Sequence, residues 1–343
     1  MKNLIIGSIS ENAGKTSFIV GLAKAIGSKF GYLKPFGDRL IYRKKRLWDY
    51  DSAIITNIFG LEQSSDEMTI GFEHSKLRYM YDEAGTKAKL LDMSNKIGNS
   101  NMPLYIEGGK DLTYGSSIRL DTLSLVKYTK GKLILIVSGD EGTIIDDITF
   151  IKKYIDMADI DFGVVINKVH NLDDYKNTNL KEIKDLGINV LGIIPFEPEL
   201  TYVSMDYLAE KLQARVIAGE GGLKRRVKHI FVGSMSGDAA VGYPQFKQEN
   251  KLAITSGDRS DYIVAALASN TSGIILTNNV IPPQNLISKA SDLNIPLLLV
   301  PFNTYETAKQ VDDAVPLLTK DDSEHIQLLK KLVEKNVDLN SIF

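Results

Sequence analysis

Gly14, Lys15 and Thr16 follow a short polar loop, residues 8–13, that separates the apolar run of residues 4–6 from the helically spaced Phe18, Ile19 and Leu22. Glycine, lysine and a hydroxyl residue in that order, between a strand and a helix, make a phosphate-binding arrangement. Backbone N–H groups at the helix start face the anion, the lysine neutralises the β and γ oxygens, and the hydroxyl reaches a bound Mg²⁺. The full pattern G-x-x-x-x-G-K-[ST] is met only in its second half, because Ile9 stands where the first glycine would be. Gly7 and Ser8 can still form the turn. Contacts to the phosphates of ATP are expected from Ser10, Ala13, Gly14, Lys15, Thr16 and Ser17, with Lys15 also acting in any phosphoryl chemistry.

Other residues have types suited to the same chemistry. Lys34 ends the run "GYLKP", where Pro35 keeps it extended and can aim its ammonium at the phosphate loop. Asp51, in "DYDSA", starts a helix-like segment and reads either as a helix cap or as a magnesium carboxylate. Glu107 ends the apolar strand "LYIE" before Gly108-Gly109, a costly place to bury an acid without a charged partner. Mg²⁺ takes hard oxygen ligands, so Thr16, Asp51 and Glu107 form a sufficient metal set beside nucleotide phosphates and water. Asn167 and Lys168 end the strand "FGVVINKV", where a side-chain amide can read a nucleotide base. Arg43, Lys44, Lys45 and Arg46 form a basic run that reads as a solvated helix face or an anion-binding patch. His74, His170, His229 and His325 show no metal-ligand spacing.

These residues need a sheet to hold them. Strand-like runs recur at "NLIIG", "GYLKP", "MPLYIEGG", "KLILIVSG", "DFGVVINKV" and "INVLGIIP", separated by helix-length amphipathic segments. That alternation predicts an α/β fold with a parallel sheet flanked by helices, and such sheets bind ligands at the carboxyl ends of their strands. Glycines and then basic residues in "VIAGEGGLKRRVKH" interrupt the rhythm, so a boundary is expected near residue 220. Residues 1–219 would form the nucleotide-binding domain. Residues 220–343 would form a smaller α/β domain carrying a charged terminal helix from about Asp322.

Composition narrows the function. A chain of 343 residues exceeds one comfortable core, and a net charge of -2 gives no footprint for nucleic acid. With no cysteine, thiolate nucleophiles, zinc-thiolate sites and disulfides are excluded. No apolar run approaches the length of a membrane span, and a cytoplasmic location is expected.

The motifs "SISENAGKT", "GYLKP", "DYDSA" and "LYIEGG" resemble those of the dethiobiotin synthetase-like branch of P-loop proteins, which includes the cobyrinic acid a,c-diamide synthase group. The resemblance implies that Lys15 and Lys34 flank the phosphates, that Thr16, Asp51 and Glu107 hold Mg²⁺, and that Asn167 approaches the adenine. It departs at Asn12, where the synthetases carry an acid. The later runs "VGSMS", "ITSGDRSDYIVAAL", "GIILTNN" and "IPLLLVPFNTYETA" resemble the domain named for Asp-Arg-Thr-Gly-Gly, here Asp258-Arg259-Ser260-Asp261, with Asn278-Asn279 where relatives often have Gly-Gly. Together they are similar to the N-terminal regulatory half of large bacterial phosphate acetyltransferases, without the acetyltransferase domain.

Two functions follow from that resemblance. One is a Mg·ATP-binding metabolic sensor; the other is a ligase that phosphorylates a carboxylate or carbamate before an amine attacks. A cobyrinic acid type amidotransferase is weakened by the missing cysteine. The expected partners are a nucleotide, a small carboxylate or amine metabolite, and further copies of the chain, with no nucleic acid and no membrane.

Overall fold

The computed structural model describes residues 3–43, 46–97, 102–158, 160–320 and 322–343. They divide into two compact units, Met1–Glu197 with Leu318–Phe343, and Pro198–Leu317.

In the first unit the strands are β1 (Asn3–Ser8), β2 (Gly31–Leu33), β3 (Leu40–Arg43), β4 (Arg46–Asp49), β5 (Leu104–Glu107), β6 (Lys132–Val137), β7 (Phe162–Val169) and β8 (Val190–Pro195). The helices are α1 (Lys15–Ile26), α2 (Tyr50–Phe59), α3 (His74–Met80), α4 (Glu83–Ile97), α5 (Thr122–Thr129), α6 (Glu141–Ala158) and α7 (Leu172–Asp185). Six strands form one sheet in the order β2-β5-β1-β6-β7-β8, every neighbouring pair parallel. The six runs singled out in the sequence are these six strands. Their apolar residues are unbroken because both faces are covered: Leu4, Ile5, Ile6 and residues 133–137 are at most 1% exposed. β3 and β4 pair separately as an antiparallel hairpin with Arg43 opposite Arg46. Arg43 and Arg46 of the basic run therefore lie on paired strands rather than on a helix face; Lys44 and Lys45 fall outside the described residues.

The second unit holds β9 (Val203–Ser204), β10 (Arg215–Ala218), β11 (Arg226–Val227), β12 (His229–Val232), β13 (Lys251–Ser256), β14 (Thr271–Thr277) and β15 (Leu297–Leu299). Its helices are α8 (Met205–Lys211), α9 (Gly237–Gly242), α10 (Ser260–Leu267), α11 (Gln284–Asp292) and α12 (Thr304–Asp312). A five-stranded sheet runs β10-β15-β14-β13-β12, with only β10 antiparallel to its neighbour. Two apolar layers, one around Phe246 and Tyr262 and one around Met205 and Leu252, make up its core.

Helix α13 (Ser323–Asn336), expected with the second domain, packs instead in the first unit on α1. A Cβ on Gly21 would lie 2.7 Å from the Leu329 carbonyl oxygen, so glycine at that point lets the two backbones touch. Beyond it, Asp338 N donates to Leu191 O on β8 at 2.8 Å, and Lys132 Nζ donates to Ser341 O at 2.6 Å. Residues 198–219 likewise fall in the second unit, because β10 needs β15 as its hydrogen-bonding partner. Among the described residues no helix is long and apolar enough to cross a membrane.

Candidate nucleotide site

The site gathers at the carboxyl ends of β1, β2, β5 and β7, all in the first unit. β1 ends at Ser8, and the chain turns through Asn12 (φ 60) and Gly14 (φ 101) before α1 begins at Lys15. Both conformations are left-handed, a region that asparagine tolerates and glycine adopts without cost. At Gly14 space adds a second constraint, since a Cβ there would stand 2.4 Å from Asn167 Nδ2. The Lys15 ammonium folds back over the loop and donates to Ser8 Oγ at 2.8 Å and to Lys110 O at 2.9 Å. Burial holds its pKa below the ordinary lysine value. Ala13 is fully buried, whereas Ser10, Thr16 and Ser17 are half-buried.

Next to the loop lies a cage of carboxylates around one cation. Lys34, 1% exposed, is hydrogen-bonded to Asp51, 2.6 Å from Asp38 Oδ1, 3.6 Å from Glu107 Oε1 and 3.9 Å from Asp49 Oδ2. Burial alone would lower the lysine's pKa, but the four carboxylates overcome it and hold it well above the ordinary value. Glu107 accepts from the Thr16 hydroxyl and the Tyr32 hydroxyl, both at 2.9 Å. Burial pushes the Glu107 carboxyl up to about 7 against the pull of Lys34, and pushes Asp49 up to about 6. Asp51 goes the other way: burial would raise it, yet Lys34 and Arg39 keep it below the usual carboxylate range.

Of the two readings open for Asp51, the helix cap belongs instead to Asp49. Its side chain accepts from Ser52 N at 2.9 Å and closes the first turn of α2. Asp51, inside that turn, is thereby released to face Lys34. Thr16, Asp51 and Glu107, proposed from sequence as one set, do come together, with Lys34 between the two acids. Asp38 and Asp49 join them: one oxygen each of Asp38, Asp49 and Asp51 lies within 4.8 Å of the others.

A second line of contacts fixes the loop from the β7 side. Asn167 Nδ2 donates to Ala13 O at 2.8 Å, and Lys168 Nζ donates to Asn12 O at 2.7 Å. Arg39 Nη2 donates to Asn12 Oδ1 at 2.5 Å, and Arg39 Nη1 lies 3.7 Å from Asp51 Oδ1. Asp38, Asp49, Arg39 and Tyr32 were not singled out in the sequence. The one available signal was that two of them follow Lys34 at once, in "KPFGDR". The histidines have aromatic or ion-pair partners: His74 packs edge-on against Phe36 and Tyr114, His170 stacks on Phe196, and His325 Nδ1 pairs with Asp322 at 3.1 Å.

In the second unit the residues that name the resembled motif brace loops. Arg259 donates to Met235 O at 2.7 Å and Gly233 O at 3.4 Å, and Asp261 accepts from Gly237 N at 2.8 Å. Asn278 (φ 59) and Asn279 (φ 55) are both left-handed, which accounts for asparagine at a place where glycine would also fit.

Comparison with known proteins agrees with this division. A family model described as an AAA domain matches residues 2–204, and one described as a DRTGG domain matches residues 207–314. The chain is 23% identical over 367 residues to a phosphate acetyltransferase of Nitratidesulfovibrio vulgaris, covering 99% of this chain and 51% of that protein. With the phosphate acetyltransferase of Nitrosomonas europaea it shares 23% identity over 363 residues, 98% of this chain and 50% of the other. The chain thus spans about half the length of the curated relatives it matches. The cell-division protein MinD of Aquifex aeolicus superimposes with a TM-score of 0.36 at 14% identity over 58% of this chain and 84% of that one, too loosely to bear on function. By the match over residues 2–204, more than half its length, the chain belongs to the AAA-domain family of P-loop proteins and carries a DRTGG domain after it, in the arrangement of the N-terminal half of phosphate acetyltransferases.

Proposed function

We propose that the chain is a nucleotide-dependent regulator that binds Mg·ATP in its first unit. The observation that carries this reading is the meeting of Lys15 and Thr16, at the start of α1, with Lys34, Asp51 and Glu107 at the ends of β2, α2 and β5. The backbone turn of residues 12–14 would cradle the phosphates, with Ser10, Ala13, Gly14 and Ser17 around them and Lys15 turning from Ser8 to the β and γ oxygens. One hydroxyl and two carboxylates are the hard-oxygen set that Mg²⁺ accepts beside phosphate and water. Asn167, already bonded to the loop, would stand on the adenine side. A DRTGG domain attached to a P-loop domain, in a chain similar to half of a larger enzyme, supports a regulatory over a biosynthetic role. Such a role requires that nucleotide bind two states of the protein with different affinity; self-association into an oligomer belongs to the same proposal.

A second reading is an ATP-dependent ligase acting on a small carboxylate or carbamate. Lys34 favours it, because a buried cation between Asp51 and Glu107 could neutralise a phosphoryl group in transfer. Release of ADP from Mg·ATP, with and without a pooled small-metabolite extract and with bound nucleotide quantified in parallel, separates the two. Tight binding without turnover supports the regulator. Extract-dependent ADP, abolished by Lys34→Ala, supports the ligase, and absence of nucleotide binding contradicts both.

A further inference from the structure

Two cations converge on one residue at the rim of the phosphate loop. Arg39 Nη2 donates to the side-chain oxygen of Asn12 at 2.5 Å, and Lys168 Nζ donates to its backbone oxygen at 2.7 Å. Both acceptors are neutral, and Asn12 itself is exposed. Asp51 lies 3.7 Å from Arg39 Nη1, beyond the range of a short charge-assisted bond. Asp51 and Asp38 hold Lys34 more closely. Burial and the charge of Arg39 both lower the Lys168 pKa, which marks the two cations as near neighbours.

Arg39 and Lys168 stand at the mouth of a loop whose floor is lined by Lys15, and Arg39 also feels the carboxylates gathered around Lys34, which hold its pKa above the ordinary value. Arg39 is also well placed to move. It lies between β2 and β3, and its guanidinium spans from Asn12 to Asp51, across the gap between the phosphate loop and the carboxylate cage. A guanidinium fork can give one edge to a phosphate oxygen while the other keeps its carboxylate, which a lysine cannot do.

We infer that Arg39 binds the terminal phosphate of the nucleotide, exchanging its bond to Asn12 for a phosphate oxygen, and that it is the residue by which the site distinguishes a nucleoside triphosphate from a diphosphate. This deepens the proposed function and rests on it. Lys168 holds the loop through the backbone oxygen of Asn12.

The test is calorimetric titration of the full chain with Mg·ATP and with Mg·ADP, in the unsubstituted protein and in Arg39→Ala, Arg39→Gln and Arg39→Lys. Thermal melts followed by circular dichroism report folding. The inference predicts tighter binding of Mg·ATP than Mg·ADP in the unsubstituted protein. Arg39→Ala and Arg39→Gln lose roughly 10- to 100-fold on Mg·ATP and change little on Mg·ADP, as expected for one charged hydrogen bond. Arg39→Lys falls between. The glutamine variant is the discriminating one, because its amide can still brace Asn12. Retained preference for Mg·ATP in Arg39→Gln, or equal losses on both nucleotides in Arg39→Ala, would show loop bracing alone and overturn the inference. An unsubstituted protein that binds neither nucleotide would overturn the proposed function itself.

Discussion

The hydroxyl of Thr16, at the start of α1, donates to Glu107 Oε1 at the tip of β5 across 2.9 Å. This contact joins the phosphate loop to the carboxylate cage, and Glu107 is held there at a cost. Its folded pKa is raised to about 7 by burial, above its ordinary value of 4.5. A raised acid favours the folded state below the ordinary pKa and loses that contribution as pH climbs through the folded one. Glu107→Gln should therefore be more stable than the unsubstituted protein at pH 8, by about 1–3 kcal/mol, with the advantage shrinking toward pH 5. The same variant should lose Mg²⁺-dependent nucleotide binding. Melting curves across that pH range check the first part; an advantage that does not change with pH would contradict it.

Gly21→Ala should destabilise the protein although alanine is the better helix former. The helical gain is about 1 kcal/mol. Against it, the new methyl would press to 2.7 Å on the Leu329 carbonyl oxygen and on Val333 Cγ2 of α13. Overpacking against a backbone typically costs 1–3 kcal/mol, so chemical denaturation should show a net loss. A raised midpoint would mean that α13 is not held against α1.

Asp49→Ala should disturb the site through the helix it caps. The loss of the bonds from Ser52 N and Ser52 Oγ, at 2.9 and 3.1 Å, removes about 1–2 kcal/mol and frees the first turn of α2, which aims Asp51. Asp49→Asn keeps the capping oxygen and should restore most of the stability. Equal melting of the two variants would assign Asp49 to charge rather than to capping.

Gly14→Ala should abolish nucleotide binding more completely than Asn167→Ala. The alanine is strained at φ 101 and collides with Asn167 Nδ2 at 2.4 Å, so it displaces the amide and distorts the loop together. Removing Asn167 alone leaves the backbone turn in place. Comparable affinities in the two variants would contradict that order.

Much of this was legible in the sequence because it is local. Six apolar runs give six parallel strands, and the phosphate-loop residues are contiguous. Lys34, Asp51 and Glu107 were legible because each interrupts an apolar or helical pattern with a charge. Asp38, Asp49 and Arg39 were not, since short polar stretches carry no period and their roles arise only from the folded contacts of Asp38 and Asp49 with Lys34 and of Arg39 with Asn12 and Asp51. Whether Asp51 caps the helix or faces the metal was open in the sequence because Asp49 and Asp51 compete for one helix start, and only the backbone decides. The placement of α13 was hidden for a related reason. Its amphipathic pattern shows that it packs, while its partner α1 lies some 300 residues earlier in a chain of 343.

On the proposed function, the cluster at the ends of β1, β2 and β5 binds a magnesium nucleotide. The most direct test is calorimetric titration of Mg·ATP into the protein, into the protein with EDTA in excess, and into Lys15→Ala. Binding in Mg²⁺ that is lost with EDTA and falls roughly 100-fold in Lys15→Ala is the predicted result. No binding by the unsubstituted protein, or an affinity that Lys15→Ala leaves unchanged, would contradict it.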